Sequence, residues 1–352
     1  MSSSPATPTY VLRGHNSAVH SLLFFHENAF LVSGDADGWL IVWSITSKRP
    51  VAVWKAHDGG VTGIKAWKGN QLLTHGRDHK LRVWNVDVAN GSDLSIKTPA
   101  DGAVDDQPKP WLLHAMDMSA LNFCTFAVCG AGHGEYDSIT AYSDEELLIA
   151  NPNALDSGGV DVFHLPSEKR VLQLHSQKDR STGMVMSLAM FLNEQTRLYL
   201  MSGYEDGHVM IHYYDDLSTQ GSSGSWHKVM DCKAHSQPVL SLDVSPHMDS
   251  FFTSSADVVI TKFKFPPAGD SATDGDSAFK TTNTKHAGQQ GLSVRSDGKI
   301  FATAGWDARA RAYSCKTLKE LAVLKWHKDG CSSTSFATVP DEQQTRQPRT
   351  KS

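Results

Sequence analysis

The amino-acid sequence predicts an all-β protein, a seven-bladed β-propeller whose last blade is incomplete. A histidine recurs seven times along the 352 residues, at His15, His57, His114, His175, His235, His286 and His327. The separations run from 41 residues (His286 to His327) to 61 residues (His114 to His175). One four-stranded blade takes ~40 to 45 residues, so the longer units carry loop insertions. Between the histidines, apolar and polar residues alternate as they do in strands, and no long amphipathic helix competes.

A polar set recurs with the histidines and gives the units the character of WD repeats. In five units an Asp stands four residues after a Ser or Thr and six before a large ring-bearing residue. We expect this Asp to accept a hydrogen bond from the histidine, and the hydroxyl to bridge to the ring residue where that residue is Trp. A blade with Phe263 or Tyr313 at that position lacks the indole donor and has a weaker tie. The predicted structural residues are His15, Ser33, Asp37, Trp43, His57, Thr74, Asp78, Trp84, His235, Thr253, Asp257, His286, Thr303 and Asp307.

Composition favours one soluble propeller domain. Hydrophobic residues make up 40% of the chain, and a formal net charge of −5 argues against a dedicated nucleic-acid binder. The five cysteines lack metal-ligand spacing and favour a reducing compartment. Residues 1–8 show neither a basic start nor an apolar run, so we expect no signal peptide and no membrane anchor. We expect disorder over 1–8, the propeller over 9–337 and a disordered tail over 338–352.

Two parts of the chain depart from the repeat. In the third unit Phe163 takes the ring position, but Ser157 stands where Asp is expected and Asp156 lies one residue out of register. An insertion in that unit carries the acidic cluster of residues 144–146, which is either a solvated loop or a docking site.

After His327 the strand pattern ends. Residues 10–13 would supply the outermost strand of the last blade, and residues 331–337 its innermost strand. Two middle strands are then missing. Three explanations remain open: a truncated or mis-spliced gene model, a partner that donates strands, or a six-bladed closure with a frayed seventh unit.

The repeated Ser/Thr, His and Asp residues resemble a hydrolase triad. A nucleophile needs one privileged site with an oxyanion donor, whereas these sets recur as equivalent structural ties. We therefore predict no enzyme activity, no catalytic residues, no cofactor and no metal site. Residues beside the structural aspartates surround the channel mouth, and we predict Arg77, Tyr204, Glu205 and Trp306 as partner-binding residues.

Specific strings carry a family resemblance over about residues 9–337. They are TYVLRGH (9–15), SGDADGW (33–39), THGRD (74–78), DVFHLPSE (161–168), GYEDGH (203–208), KHAGQQGLSVR (285–295), AGWDAR (304–309) and LKWHK (324–328). In these strings the chain resembles the ASTRA-associated WD-repeat family of filamentous fungi, whose animal relative is a G-protein beta-subunit-like protein. It departs from that family at the C-terminus, where the family continues through a complete final blade.

The resemblance implies a nuclear, non-catalytic scaffold subunit of the ASTRA complex. It implies roles in chromatin remodelling and in the Tel/Tti-dependent maturation of phosphatidylinositol-3-kinase-related kinases. The implied partners are other ASTRA subunits, including Tel and Tti proteins, with no direct nucleic acid and no membrane. The alternative is a WD-repeat peptide-binding module, either a histone-tail reader or a ubiquitin-ligase substrate receptor.

Overall fold

The protein is a six-bladed β-propeller in its described residues, so the prediction of seven blades is wrong. A computed structural model describes residues 7–88, 93–119, 124–130, 146–178, 180–193, 197–215, 217, 224–265 and 279–340. In these stretches 24 strands form six four-stranded antiparallel sheets. Within each blade the strands follow one another in chain order. This up-and-down order is the one that short hairpin turns produce.

The first three blades contain twelve strands and one 3₁₀ helix. Blade 1 has β1 (Val19–Phe25), β2 (Phe30–Asp35), β3 (Trp39–Ser44) and β4 (Pro50–Lys55). Blade 2 has β5 (Val61–Ala66), β6 (Gln71–Gly76), β7 (Lys80–Asn85) and β8 (Trp111–Asp117), with the 3₁₀ helix Pro99–Asp101 in the loop before β8. Blade 3 has β9 (Ala127–Gly130), β10 (Leu147–Pro152), β11 (Val160–Leu165) and β12 (Lys169–Leu174).

The second three blades contain the other twelve strands. Blade 4 has β13 (Val185–Leu192), β14 (Leu198–Tyr204), β15 (His208–Tyr214) and β16 (Trp226–Lys233). Blade 5 has β17 (Val239–Val244), β18 (Ser250–Ser255), β19 (Val259–Lys264) and β20 (Phe279–Asn283). Blade 6 has β21 (Gln289–Val294), β22 (Ile300–Gly305), β23 (Ala310–Ser314) and β24 (Glu320–Leu324).

The hydrophobic core lies between the blades. Side chains alternate across a strand, so each sheet has two apolar faces and needs a neighbour on both. In one such interface, Trp54 of blade 1 contacts Trp84 of blade 2 edge to face, with ring centroids 6.1 Å apart. Between blades 5 and 6, Phe252 packs against Phe301 at 4.7 Å.

Two predicted blade starts do not start blades. His114 lies inside β8, the outermost strand of blade 2, where its Nδ1 contacts Glu168 at 2.7 Å. His327 is exposed, and none of the described residues after it forms a strand. A histidine count overestimates the blades because a histidine can also lie within a strand, or follow the last one.

Residues 331–339 lie between blade 6 and blade 1 and contact both without forming a strand; we call this interval the seventh position. On the blade 6 side, the Cys331 amide donates to the Gly305 carbonyl at 2.9 Å, and Thr334 pairs with Ser293 of β21. On the blade 1 side, the Asn28 side chain donates to the Thr338 carbonyl and accepts from the Thr338 amide, at 2.9 and 2.8 Å. This is the place predicted for an innermost strand, although the segment pairs with no second strand.

The two faces of this seventh position differ. On the blade 1 side, Leu12 packs against Trp39, Ile41, Trp43 and Val53. The loop before β8 also covers this side, since the Val53 amide donates to the Ser95 carbonyl at 2.7 Å.

The blade 6 side of the seventh position is open to solvent. Leu324 is 43% exposed there, whereas its counterpart Trp54 in blade 1 is fully buried. Four alanines line the same face, at positions where blade 1 has buried Val, Leu or Ala. They are Ala302, Ala310, Ala312 and Ala322.

Three sequence predictions fall partly or wholly on residues that the structure does not describe. Residues 1–6 and 341–352 account for most of the two predicted disordered ends. Of the acidic cluster, only Glu146 is described, and its Oε2 lies 3.6 Å from His164 Nε2.

In the part of the chain that the structure does describe, no helix is long and apolar enough to cross a membrane.

The Gly38→Ala variant tests the turn between β2 and β3 of blade 1, which lies against the loop that leads into blade 2. Gly38 has φ of +87°, and an added Cβ would lie 2.0 Å from the His57 carbonyl oxygen. We expect a loss of at least about 3 kcal/mol in the free energy of unfolding, measured by urea denaturation. Gly69→Ala is the matched control, because Gly69 has φ of +58° but nothing within 4 Å of an added Cβ. Its loss should be about 1 kcal/mol, and equal losses would contradict the steric account.

The buried histidines predict a stability that falls on acidification. Burial lowers the pKa of His75 to about 3 and that of His212 to about 4. Both stay neutral in the fold, whereas the unfolded chain binds protons at its histidines near pH 6.5. Their stabilisation is therefore fully present above about pH 6.5 and is lost progressively as the pH falls toward the folded pKa values.

The measurement is urea unfolding of wild type and His212→Phe between pH 7.5 and pH 5. Each such histidine contributes a slope of up to about 1.4 kcal/mol per pH unit in the acidic part of this window. In the variant, the free energy of unfolding should fall less steeply on acidification, by the contribution of one histidine. An identical pH dependence in both proteins would show that His212 titrates normally in the fold.

Candidate functional site

A buried polar tie links the second and third strands of blade 2 to the loop that enters the blade. His57 Nδ1 donates to Asp78 at 2.8 Å, and the Thr74 hydroxyl lies 2.8 Å from His57 Nε2. The Trp84 indole donates to the same hydroxyl at 2.9 Å. Burial lowers the pKa of His57, so the imidazole is neutral and can donate at one nitrogen while it accepts at the other. Burial would raise the pKa of Asp78, but its hydrogen bonds to His57 and Arg82 outweigh burial and hold that pKa well below its usual range.

Blade 1 builds the same tie with a different carboxylate. His15 contacts Ser33 at 2.7 Å and Asp35 at 2.6 Å, and the Trp43 indole donates to Ser33 at 2.8 Å. The predicted Asp37 is exposed and takes no part, so that assignment is corrected. Asp35 lies two residues after Ser33 on the same strand, and alternation places both on the face that meets the histidine. Blade 2 has Gly76 at the Asp35 position, which leaves the turn residue Asp78 as the partner.

Blade 5 has the tie without an indole. His235 Nε2 lies 2.8 Å from the Thr253 hydroxyl, and its Nδ1 lies 3.3 Å from Asp257. Asp257 also accepts from the Ser236 amide at 2.9 Å. Phe263 occupies the ring position and offers no donor.

Blade 6 replaces the predicted histidine with a glutamine that the sequence pattern did not identify. The Thr303 hydroxyl donates to Gln289 Oε1 at 2.6 Å, and Gln289 is fully buried. His286 does not bond Thr303; its side chain is 45% exposed and its Nδ1 lies 3.5 Å from Asp307. The reason is register: His15, His57 and His235 stand four residues before the innermost strand, but His286 stands only three before β21. Asp307 pairs instead with both terminal nitrogens of Arg311, at 3.0 and 2.5 Å.

Blades 3 and 4 have other polar contacts at this place. Asp156 accepts from the Ser176 amide at 2.8 Å, as Asp257 does from Ser236 in blade 5, whereas His175 is exposed. In blade 4 the Ser202 hydroxyl donates to the Tyr204 hydroxyl at 3.1 Å, and Asp206 pairs with His208 at 2.7 Å.

These sets are unsuited to nucleophilic chemistry. The Thr74 and Thr253 hydroxyls are fully buried, and Ser33 is nearly so. Each of the two threonine hydroxyls is already hydrogen-bonded to the histidine of its own tie, so no substrate can approach it. Within the described residues, no three His, Cys, Asp or Glu side chains lie close enough together to hold a metal ion.

Three of the four predicted partner-binding residues lie at one equivalent turn position. Arg77, Glu205 and Trp306 each follow directly after the second strand of their blade, and all three are exposed. Tyr204 is only 3% exposed, which corrects its assignment to the surface. As the last residue of β14 it points inward into the core of blades 3 and 4, opposite to its neighbour Glu205.

Trp306 is held in place although half of it is exposed. It is 52% exposed, and its indole donates to Gln290 Oε1 at 2.8 Å. The ring lies against Gly288, where an added Cβ would come within 2.1 Å of it. A fixed, exposed aromatic ring loses little entropy when a partner covers it, and such residues often dominate binding energies.

Thr74→Ala and Thr253→Ala measure the tie. Removing the Thr74 hydroxyl leaves both the His57 nitrogen and the Trp84 indole unpaired, and we expect a loss of about 3 kcal/mol in the free energy of unfolding. Thr253→Ala leaves only His235 unpaired and should lose about half as much. Urea denaturation of both variants gives the comparison, and equal losses would mean that the Trp84 bond contributes nothing.

Comparison with known proteins identifies relatives over nearly the whole chain. The family model of ASTRA-associated protein 1 matches residues 8–351. ASTRA-associated protein 1 of Aspergillus niger is 47% identical over 359 residues, covering 95% of this chain and 82% of the relative. The Penicillium rubens protein of the same name is 46% identical, covering 95% and 81%. The Schizosaccharomyces pombe protein is 35% identical, covering 94% of this chain and 93% of the relative.

Proposed function

Because the chain belongs to the ASTRA-associated protein 1 family, we propose that it is a non-catalytic scaffold subunit of the ASTRA complex. The match over residues 8–351 is the single observation that carries this proposal. Relatives from filamentous fungi and from fission yeast share this name, at 47% and 35% identity. The buried ties support it further, since they use the polar groups of the repeat for structure rather than for chemistry.

The proposed setting is the nucleus. There the protein contributes to chromatin remodelling and to the Tel/Tti-dependent maturation of phosphatidylinositol-3-kinase-related kinases. Other ASTRA subunits, including Tel and Tti proteins, are its proposed partners. The family resemblance supports these assignments, and the net charge of −5 favours protein partners over nucleic acid.

The turn face of the propeller is the proposed contact surface. Arg77, Glu205 and Trp306 stand on this face in blades 2, 4 and 6. Trp306 supplies the fixed aromatic ring, and Arg77 and Glu205 supply exposed charges of opposite sign on the same face. Exposed charges of this kind affect the rate and specificity of association more than its affinity.

A purification from the protein's own cells tests the proposal. The tagged protein is recovered at moderate salt, and co-purifying proteins are identified by mass spectrometry. ASTRA subunits with Tel and Tti proteins are the expected result. Recovery of nucleosomes or cullin components in their place would instead support the alternative of a peptide-binding module.

Trp306→Ala tests the contact surface. We expect about a tenfold drop in recovered ASTRA subunits, because removal of a fixed aromatic anchor typically weakens binding by at least that factor. The thermal transition should stay within about 2 °C of wild type, since surface changes have small effects on stability. Trp111→Ala is the matched control, because Trp111 is also exposed but lies on β8, the outer strand of blade 2. An equal recovery from both variants would exclude Trp306 from the interface.

A further inference from the structure

A cleft of about 300 Å³ opens beside the turn face of blade 6. It lies on the side of the sheet that faces blade 5, because Thr303, Arg311 and Val323 stand opposite one another on that side with Phe301 nearby. Its polar lining consists of four basic and two acidic side chains: His286, Arg309, Arg311, Lys325, Asp307 and Glu320.

Two of the basic groups, Arg309 and Lys325, have no acidic partner within the described part of the chain. Arg311 is 3% exposed and is neutralised by both oxygens of Asp307. Its Nε makes no hydrogen bond to the described residues and lies 3.7 Å from a carboxylate oxygen of Glu320. Arg309 donates only to the Ala308 carbonyl, and Lys325 forms no ion pair there. Positive charge is therefore in excess in the cleft of a protein whose net charge is −5.

His286 lies at the cleft wall because the fold of blade 6 does not use it in a tie. In blades 2 and 5 the corresponding imidazole is completely buried in its tie. In blade 6 Gln289 bonds Thr303, which leaves the His286 ring at the cleft wall. A glutamine in the tie thus turns a structural histidine into a surface group.

One exposed aromatic side chain adjoins the cleft. Trp306 directly precedes Asp307, which lines the cleft, in the same turn, and it is 52% exposed. Arg and Lys beside exposed Trp can bind carboxylates while the rings cover apolar groups.

We infer that this basic cleft, together with Trp306 of the adjoining turn, binds a short acidic segment of a partner protein, with an apolar residue beside the acids. Charge complementarity selects the acids, and the exposed ring of Trp306 covers the apolar residue. Nucleic acid is the less suitable anion, since Asp307 and Glu320 also line the cleft and the basic groups form no extended stripe along a backbone. The inference rests on the proposed function only for the idea of partner binding, and it assigns the partner's chemistry.

Fluorescence anisotropy with synthetic peptides tests the inference without any ASTRA subunit. The probe is a fluorescein-labelled oligo-glutamate peptide with one central Trp, and its control carries Gln in place of every Glu. We expect the glutamate peptide to bind at least about tenfold more tightly than the glutamine peptide, and to weaken as salt is raised. Equal affinities for the two peptides would overturn the inference.

Charge reversal locates the site. Lys325→Glu should weaken binding by about tenfold or more. Lys169→Glu, the same change on the outer strand of blade 3, should alter it less than about twofold. Thermal melting checks that both variants fold, and Arg309→Gln provides a second, milder removal of charge from the same cleft. Equal effects of the two reversals, or displacement of the peptide by oligo-thymidylate at equal concentration, would refute an acidic-peptide site. The peptide assay contains no ASTRA subunit, so its failure would overturn the acidic-peptide site without contradicting a positive co-purification. A failed co-purification would likewise contradict the proposed function without contradicting peptide binding.

Discussion

The buried bond from an imidazole to a Ser or Thr hydroxyl is the contact on which the turn ends of blades 1, 2 and 5 depend. The histidine comes from the segment that leads into the blade, and the hydroxyl comes from the second strand of that blade. The bond therefore fixes the entering segment and the turn beside it at one end of the sheet. Where a carboxylate completes the set, as Asp78 does in blade 2, a neutral imidazole is satisfied at both nitrogens inside the protein. Of the exposed turn residues, Arg77 stands beside such a bond in blade 2, whereas Glu205 and Trp306 stand beside the Ser202–Tyr204 and Thr303–Gln289 bonds of blades 4 and 6.

The sequence was sufficient for the all-β propeller but not for its blade number. Strand alternation and the recurring polar set predict four-stranded units, yet a histidine spacing does not distinguish a loop from a strand, as His114 in β8 shows. In the site, the error at Tyr204 is one of parity, since a one-residue shift exchanges the two faces of a strand. The error at Asp37 is different: blade 1 has a carboxylate two residues earlier, at Asp35, where blade 2 has Gly76. Gln289 was not predictable, since it carries no repeat signature and becomes a partner of Thr303 only because the preceding loop is one residue shorter.

The seventh position shows how the ring meets the need to cover every sheet face. In blade 1, Leu12 and the loop that contains Ser95 cover the side that faces the seventh position. Blade 6 has small side chains on the corresponding face, so less apolar area is exposed there than Val or Leu would expose. Residues 331–339 link the two sides through Thr334 and Thr338. The ring is thereby bridged at its inner edge while Leu324 at its outer edge remains in solvent.

Blade 6 combines the departures from the repeat with the exposed polar chemistry, and one change connects them. When Gln289 takes over the bond to Thr303, His286 is released to the surface and Asp307 pairs with Arg311 instead. Those exchanges give the Thr303 hydroxyl and both terminal nitrogens of Arg311 partners inside the blade. They also leave Arg309 and Lys325 without acidic partners among the described residues, beside a tryptophan fixed against Gly288. In a repeat protein the regular blades hold the structure, and a blade that satisfies its interior in a different way can present groups for recognition without loss of the fold.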